Sequence, residues 1–168
     1  MRLLLLIFSL SLICCNDNKG YLSKKENNGD EVYTVGSDDD EMNQAILKAK
    51  QTYPEFLTAL HSEDSLNHAH AVKMRFDFGS EKTNAEHMWL GDLFFRDSVL
   101  FGILNSDPVE ILSVKNGDTL EIKKEKLSDW MYIRDNRLMG GYTIKVLYNK
   151  MTSEEKKQFD EEMGFKIE

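Results

Sequence analysis

Beyond position 15 the sequence contains no cysteine, because its two, Cys14 and Cys15, stand side by side near the start. The rest of the chain therefore has no disulfide, no thiolate nucleophile and no cysteine-based zinc site, and its fold must stand on its core. A cationic excess is missing too: 21 Lys and Arg face 29 Asp and Glu, for a formal charge of -8. Nucleic-acid binders gather Lys and Arg because phosphate contacts dominate their affinity, and the nearest approach here, KKEK at 123–126, is interrupted by a glutamate. No nucleic-acid partner is expected. Proline is scarce, with Pro54 and Pro108 alone, and there is no G-x-S-x-G elbow, P-loop or H-E-x-x-H helix. The longest apolar run, Leu3 to Ile13, is too short for a membrane-spanning helix, which needs about 20 residues.

That run follows a single basic residue, Arg2, and has the length of a secretory h-region, so residues 1–15 are read as an export signal. Its end, Leu12-Ile13-Cys14-Cys15, resembles a bacterial lipoprotein lipobox. The resemblance implies a lipid on Cys15, with Leu12 three positions before it; shifted by one residue, it places the lipid on Cys14 and Ser11 in the leucine position. A bacterial cell-envelope location with a membrane lipid anchor follows from that resemblance. The next stretch, 16–37, is rich in Asn, Lys, Glu and Gly and poor in aliphatics, and is expected to form a disordered tether.

The remaining residues, 38–168, suffice for one domain. The acidic run SDDDE at 37–41 is expected to cap a helix, since it lacks the Gly and distal Glu of a calcium loop. Met42, Ala45, Ile46, Ala49 and Tyr53 share that helix's apolar stripe, and Pro54 should end or kink it. Val72, Met74, Phe76 and Phe78 alternate with charged residues, as a half-buried strand requires. Further strands are expected at 86–94, 97–105, 109–114 and 119–123, and in a hairpin joining Tyr132 to 143–147, with turn signals at Asn116-Gly117-Asp118 and Asp135-Asn136. Thr152-Ser153-Glu154-Glu155 reads as a capping box and Gly164 as a C-cap, so a helix should close the chain. The expected class is α+β: an N-terminal helix, a strongly twisted antiparallel sheet of five to six strands, and a C-terminal helix.

Four segments in fixed order, DDDEMNQAILKAKQTYPEF, EHMW at 86–89, GILNSDP at 102–108, and the SDWMY and GGYT pair, resemble the YegJ-like family (DUF2314) of bacterial proteins. The family supplies no catalytic residue, cofactor or substrate to carry over, so function has to be read from the residues themselves.

His61, His68, His70 and His87 fall within 27 residues. Zinc wants three or four ligands at firm spacing, which these do not offer, and loop positions are expected for His61, His68 and His70, with no metal or other cofactor. Glu86 and His87 would point to opposite faces of a strand, while His87 shares a face with Trp89. Asp129 suits a tight connection by accepting backbone amides, Trp130 suits a core with its indole N–H bonded, and Gly140-Gly141 suits a bulge. The competing view makes these a site: a groove floored by Gly140 and Gly141 and walled by Trp89, Trp130 and Tyr142, with Asp129 and His87 beside it. The functional expectation is a non-enzymatic protein-interaction domain, inhibitor-like or immunity-like, whose partner is an envelope protein of basic character. The alternatives are a small-ligand or peptide binder using the aromatic groove, and a hydrolase using His87, Glu86 and His68 or His70.

Overall fold

The computed structural model describes residues 23–27, 30–34, 39–79 and 85–167. Cys14, Cys15 and the rest of the expected signal lie outside them. Within the stretch expected as a tether, β1 (Ser23–Asn27) pairs antiparallel with β2 (Asp30–Thr34), Ser23 opposite Thr34. In sequence Asn28 and Gly29 separate the two, the pair most favoured between hairpin strands, and that local signal outweighs the polar composition.

Helix α1 (Asp40–Leu60) starts where the carboxylate of Asp39 accepts the Met42 amide at 3.0 Å, with Asp40 and Glu41 in the first turn. Of the two outcomes expected at Pro54, an end or a kink, the first does not occur. The helix runs through Pro54 as 21 residues; both Pro54 and Lys50, whose carbonyl lacks an amide partner four residues on, are exposed, so that carbonyl faces solvent and not the core. The buried stripe of α1, including Ala49, Tyr53 and Phe56, then faces the sheet.

Six strands form that sheet: β3 (Asn67–Asp77), β4 (Ala85–Arg96), β5 (Val99–Leu104), β6 (Thr119–Glu121), β7 (Leu127–Arg134) and β8 (Arg137–Gly140). Their order is β6-β5-β4-β3-β7-β8, every pair antiparallel. Asp135 and Asn136, both at positive φ, make the two-residue turn between β7 and β8 that the sequence signals, and Asp97 and Ser98 do the same between β4 and β5. Val72, Met74, Leu90, Leu104, Leu127 and Trp130 pack with α1 into the core.

Two expected strands are absent. Residues 109–114 form a loop, because the Glu86 side chain takes the amides of Val109 and Ile111 that a ladder would use. Residues 143–147 belong to a helix, α2 (Tyr142–Lys150), for a reason given below. The closing helix α3 (Ser153–Met163) has the full capping box, with Thr152 and Glu155 bonding reciprocally, and Gly164 ends it at φ 67°. Among the described residues the molecule thus combines three helices with a six-stranded antiparallel sheet, an α+β fold.

Candidate functional site

The residues proposed as a groove divide between two faces of the sheet. Across β3, Val72 stands opposite both Leu90 and Trp130, while its neighbour Lys73 stands opposite both Trp89 and Asp129. Because side chains alternate, Trp130 faces α1 and the core, and Trp89 and Asp129 occupy the other face. Trp89, Trp130 and Tyr142 therefore do not wall one cleft. Trp130 is 3% exposed, and its indole N–H donates to the Ala49 carbonyl at 2.9 Å, 81 residues away in sequence. The Tyr142 ring meets it edge-on, 5.7 Å between centroids.

Both glycines answer to this ring and to the helix that follows. At Gly140, φ 69°, a Cβ would stand 2.3 Å from the Trp130 carbonyl oxygen and 2.4 Å from its ring. At Gly141, φ 58°, the chain turns left-handed at the N-cap of α2, and its amide donates to the Trp130 carbonyl at 2.8 Å. A glycine at this cap has no side chain with which to hold the free amides of α2. Asp129 does so from the neighbouring strand. One oxygen accepts the amides of Trp130 (2.8 Å) and Tyr142 (3.2 Å), and the other accepts the amide (2.8 Å) and hydroxyl (2.7 Å) of Thr143. Asp129 is completely buried.

Lys73 completes the cluster. Its ammonium lies 3.5 Å from the Thr143 hydroxyl and 5.5 Å above the Trp89 ring, giving cation–π support on one side and an anion beyond the hydroxyl on the other. Burial pushes the Asp129 carboxyl up, against the pull of the Thr143 hydroxyl, the Thr143 and Trp130 amides and Lys73; burial likewise pushes Lys73 down, against the pull of Asp129. With every lone pair of Asp129 engaged by α2 and by Trp130, the group serves as a cap and is closed to substrate.

The histidines do not converge. His61 stacks on Phe95, His68 bonds the Leu66 carbonyl, and His70 lies between Phe56 and Tyr132, its pKa lowered by burial. His68 and His70 are not loop residues, since β3 begins at Asn67; a bulge with Ala69 at φ 53° separates them. His87, opposite Arg75 in the sheet, is pushed down to about 4 by burial and by the cations of Lys73 and Arg75, so it is neutral at pH 7. Among the described residues no three His, Cys, Asp or Glu side chains gather as metal ligands.

An open cavity of about 480 Å³ lies at the β8 edge, between the ends of α1 and α2. Trp130, Gly140 and Tyr142 of the expected groove line it, together with Tyr132, Leu138 and Met139; Glu55, Arg137 and Lys145 supply its charges. Trp89 and His87 are not part of it. Sequence alone could not have found Met139 or Lys145, because their approach depends on α2 being a helix.

The family described as an uncharacterized protein conserved in bacteria, DUF2314, matches residues 39–167. A putative ankyrin repeat protein of Neisseria meningitidis serogroup B is 31% identical over 138 residues, which are 79% of this chain and 54% of that protein, so the chain spans about half its length. The uncharacterized protein YegJ of Escherichia coli K12 is 32% identical over 126 residues, 75% of this chain and 79% of that one. No solved structure matches the chain. The chain belongs to the DUF2314 family, the YegJ-like proteins of bacteria.

Proposed function

We propose that this is a non-enzymatic protein-interaction domain, held to a membrane of the bacterial envelope by a lipid on Cys15 and receiving a segment of its partner in the cavity at the β8 edge. The cavity carries the proposal. Its volume lies in the range of about 300–1,000 Å³ usual for binding sites, and an aromatic and aliphatic floor with a few charged groups at the rim is the usual make-up of such sites. A second occupant is favoured by one observation: Glu55 faces Arg137 and Lys145 around the cavity, an arrangement that also fits a small zwitterionic molecule.

The test places a photoreactive benzoylphenylalanine at Met139, which is 37% exposed on the rim, in the full chain inside the bacterium. A discrete adduct with a protein is expected on illumination, and the same substitution at Leu47, exposed on α1, should give none. Equal labelling from both positions, or none from Met139, would reject a protein-binding cavity.

A further inference from the structure

The two ends of the sheet are unlike. The cavity lies at the β8 end, whereas the β6 end carries an unusual connection: 105–118, fourteen residues between β5 and β6 where hairpins use about 2–5. The connection is pinned on both sides of its crest. On the incoming side the Glu86 carboxylate accepts the amides of Val109 (2.7 Å) and Ile111 (3.0 Å), and Ile111 is buried in the core. On the outgoing side Val114 packs against the core, the Asp118 carboxylate accepts the Lys115 amide, and Gly117 and Asp118 bond the backbone of Leu104.

Between these anchors stands Leu112, 97% exposed, while the other large exposed apolar side chains of the described residues reach at most 48%. Scattered surface leucines are ordinary, but a leucine wholly in solvent on a pinned crest is a knob held ready for a hole, with little ordering left to lose on binding. Its exposed neighbours Asp107 and Glu110 are acidic.

We infer that the partner of the cavity is a second copy of this chain, whose Leu112 crest enters between Tyr132, Met139 and Tyr142. The inference rests on the cavity being a protein-binding site. The match is one of shape and charge: an apolar knob flanked by Asp107 and Glu110 meets an apolar hollow whose rim carries the two cations Arg137 and Lys145 against the single carboxylate of Glu55. Arg137 and Lys145 also hold contacts within their own chain, so their contribution is to the sign of the rim rather than to a single bond. Knob and hole are separate surfaces of the chain, the crest held by Glu86 of β4 and the hole beside β8, so two copies join either by one contact, which leaves a free knob and a free hole, or by two in a closed pair. Confinement to a membrane surface would raise the effective concentration of such a weak contact.

The same photocrosslinker at Met139 tests it. The expected adduct has twice the chain mass, maps to the 105–118 loop, and disappears in Leu112→Asp. A complementation follows in full chains extracted in detergent and carrying two different tags. Met139→Arg blocks the hole and Leu112→Asp removes the knob, both at exposed positions. Neither variant should co-purify with itself, whereas the mixed pair should associate, and Leu112→Ala should weaken association on the order of 10- to 100-fold, the effect of burying one leucine. An adduct with a different protein would overturn this inference and leave the protein-binding cavity standing. A self-adduct that survives Leu112→Asp, or a mixed pair no stickier than either variant alone, would also overturn it; no adduct at all would remove both.

Discussion

Asp129 and Glu86 are carboxylates that do similar work in different surroundings. Each accepts backbone amides from a distant segment: Asp129 takes those that open α2, and Glu86 takes two from the 105–118 loop. Asp129 is fully buried, with its remaining capacity filled by Trp130 and the Thr143 hydroxyl and with Lys73 nearby, so the packing of α2 depends on it. Glu86 is half-buried, and the loop it pins carries at its crest the most exposed leucine of the described residues. The same interaction thus serves the fold at one end of the sheet and the presentation of a surface feature at the other. The residues that look most chemical, the Asp-Trp pair and the double glycine, hold the fold together, and Trp130 and Gly140 also line the cavity.

The comparison breaks first at Asp129. Asp129→Ala should cost about 3–5 kcal/mol, the usual effect of removing one partner from a buried charged network, because it leaves three amides unpaired and Lys73 uncompensated. Thermal unfolding measures it, and a loss below about 1 kcal/mol would mean that water replaces the carboxylate and that the site is open. Gly140→Ala ranks next, at about 1–3 kcal/mol for a side chain forced to positive φ, plus whatever the displaced Trp130 adds. Gly141→Ala should cost less, since its Cβ meets only the Leu138 side chain, which can yield. If the two were equal, the ring over Gly140 would have no part in the effect.

Glu86→Ala sharpens the contrast from the other side. Global stability should fall by only about 1–2 kcal/mol, while amide hydrogen exchange at Val109 and Ile111 accelerates selectively. A cooperative loss as large as that of Asp129→Ala would make the loop part of the core and not a presented surface.

The two regions also differ in how far their sequences disclose them. Local signals performed well wherever cause and effect are close in the chain: Asp39 at the start of α1, Asp135-Asn136 between β7 and β8, Thr152 with Glu155 and Gly164 around α3. Helix α2 stayed hidden because Thr143, Ile144 and Val146 favour strands by local preference, and the cap that overrides them is Asp129, more than a helix length upstream. The division of Trp89 from Trp130 needed the register of both strands against β3, which no single strand's alternation contains. Leu112 lies in V-E-I-L-S-V, whose apolar pattern suits a strand; only the bonds to Glu86 show that two of that segment's amides are already taken.

His87 joins the two regions and gives the smallest effect. It follows Glu86 in β4, and its pKa is set first by burial and then by Lys73 of the Asp129 cluster and by Arg75, with Asp77 opposing and Lys50 adding slightly. Its folded pKa of about 4 lies below the ordinary histidine value near 6.5, so between those values the unfolded chain binds the extra proton. Stability should therefore be fully present above pH 6.5 and decline as the pH falls toward 4. The ring is not fully buried, so solvent screening discounts the shift and the effect is on the order of 1–2 kcal/mol. Denaturant melts at pH 7, 5.5 and 4.5 measure the slope, and His87→Gln, which carries no titrating proton, should flatten it. Asp129→Asn separates the neighbours' parts: it removes the anion that partly neutralises Lys73, so the slope through this window should steepen if the Lys73 ammonium is what His87 feels. An unchanged slope would assign the lowered pKa to burial and to Arg75.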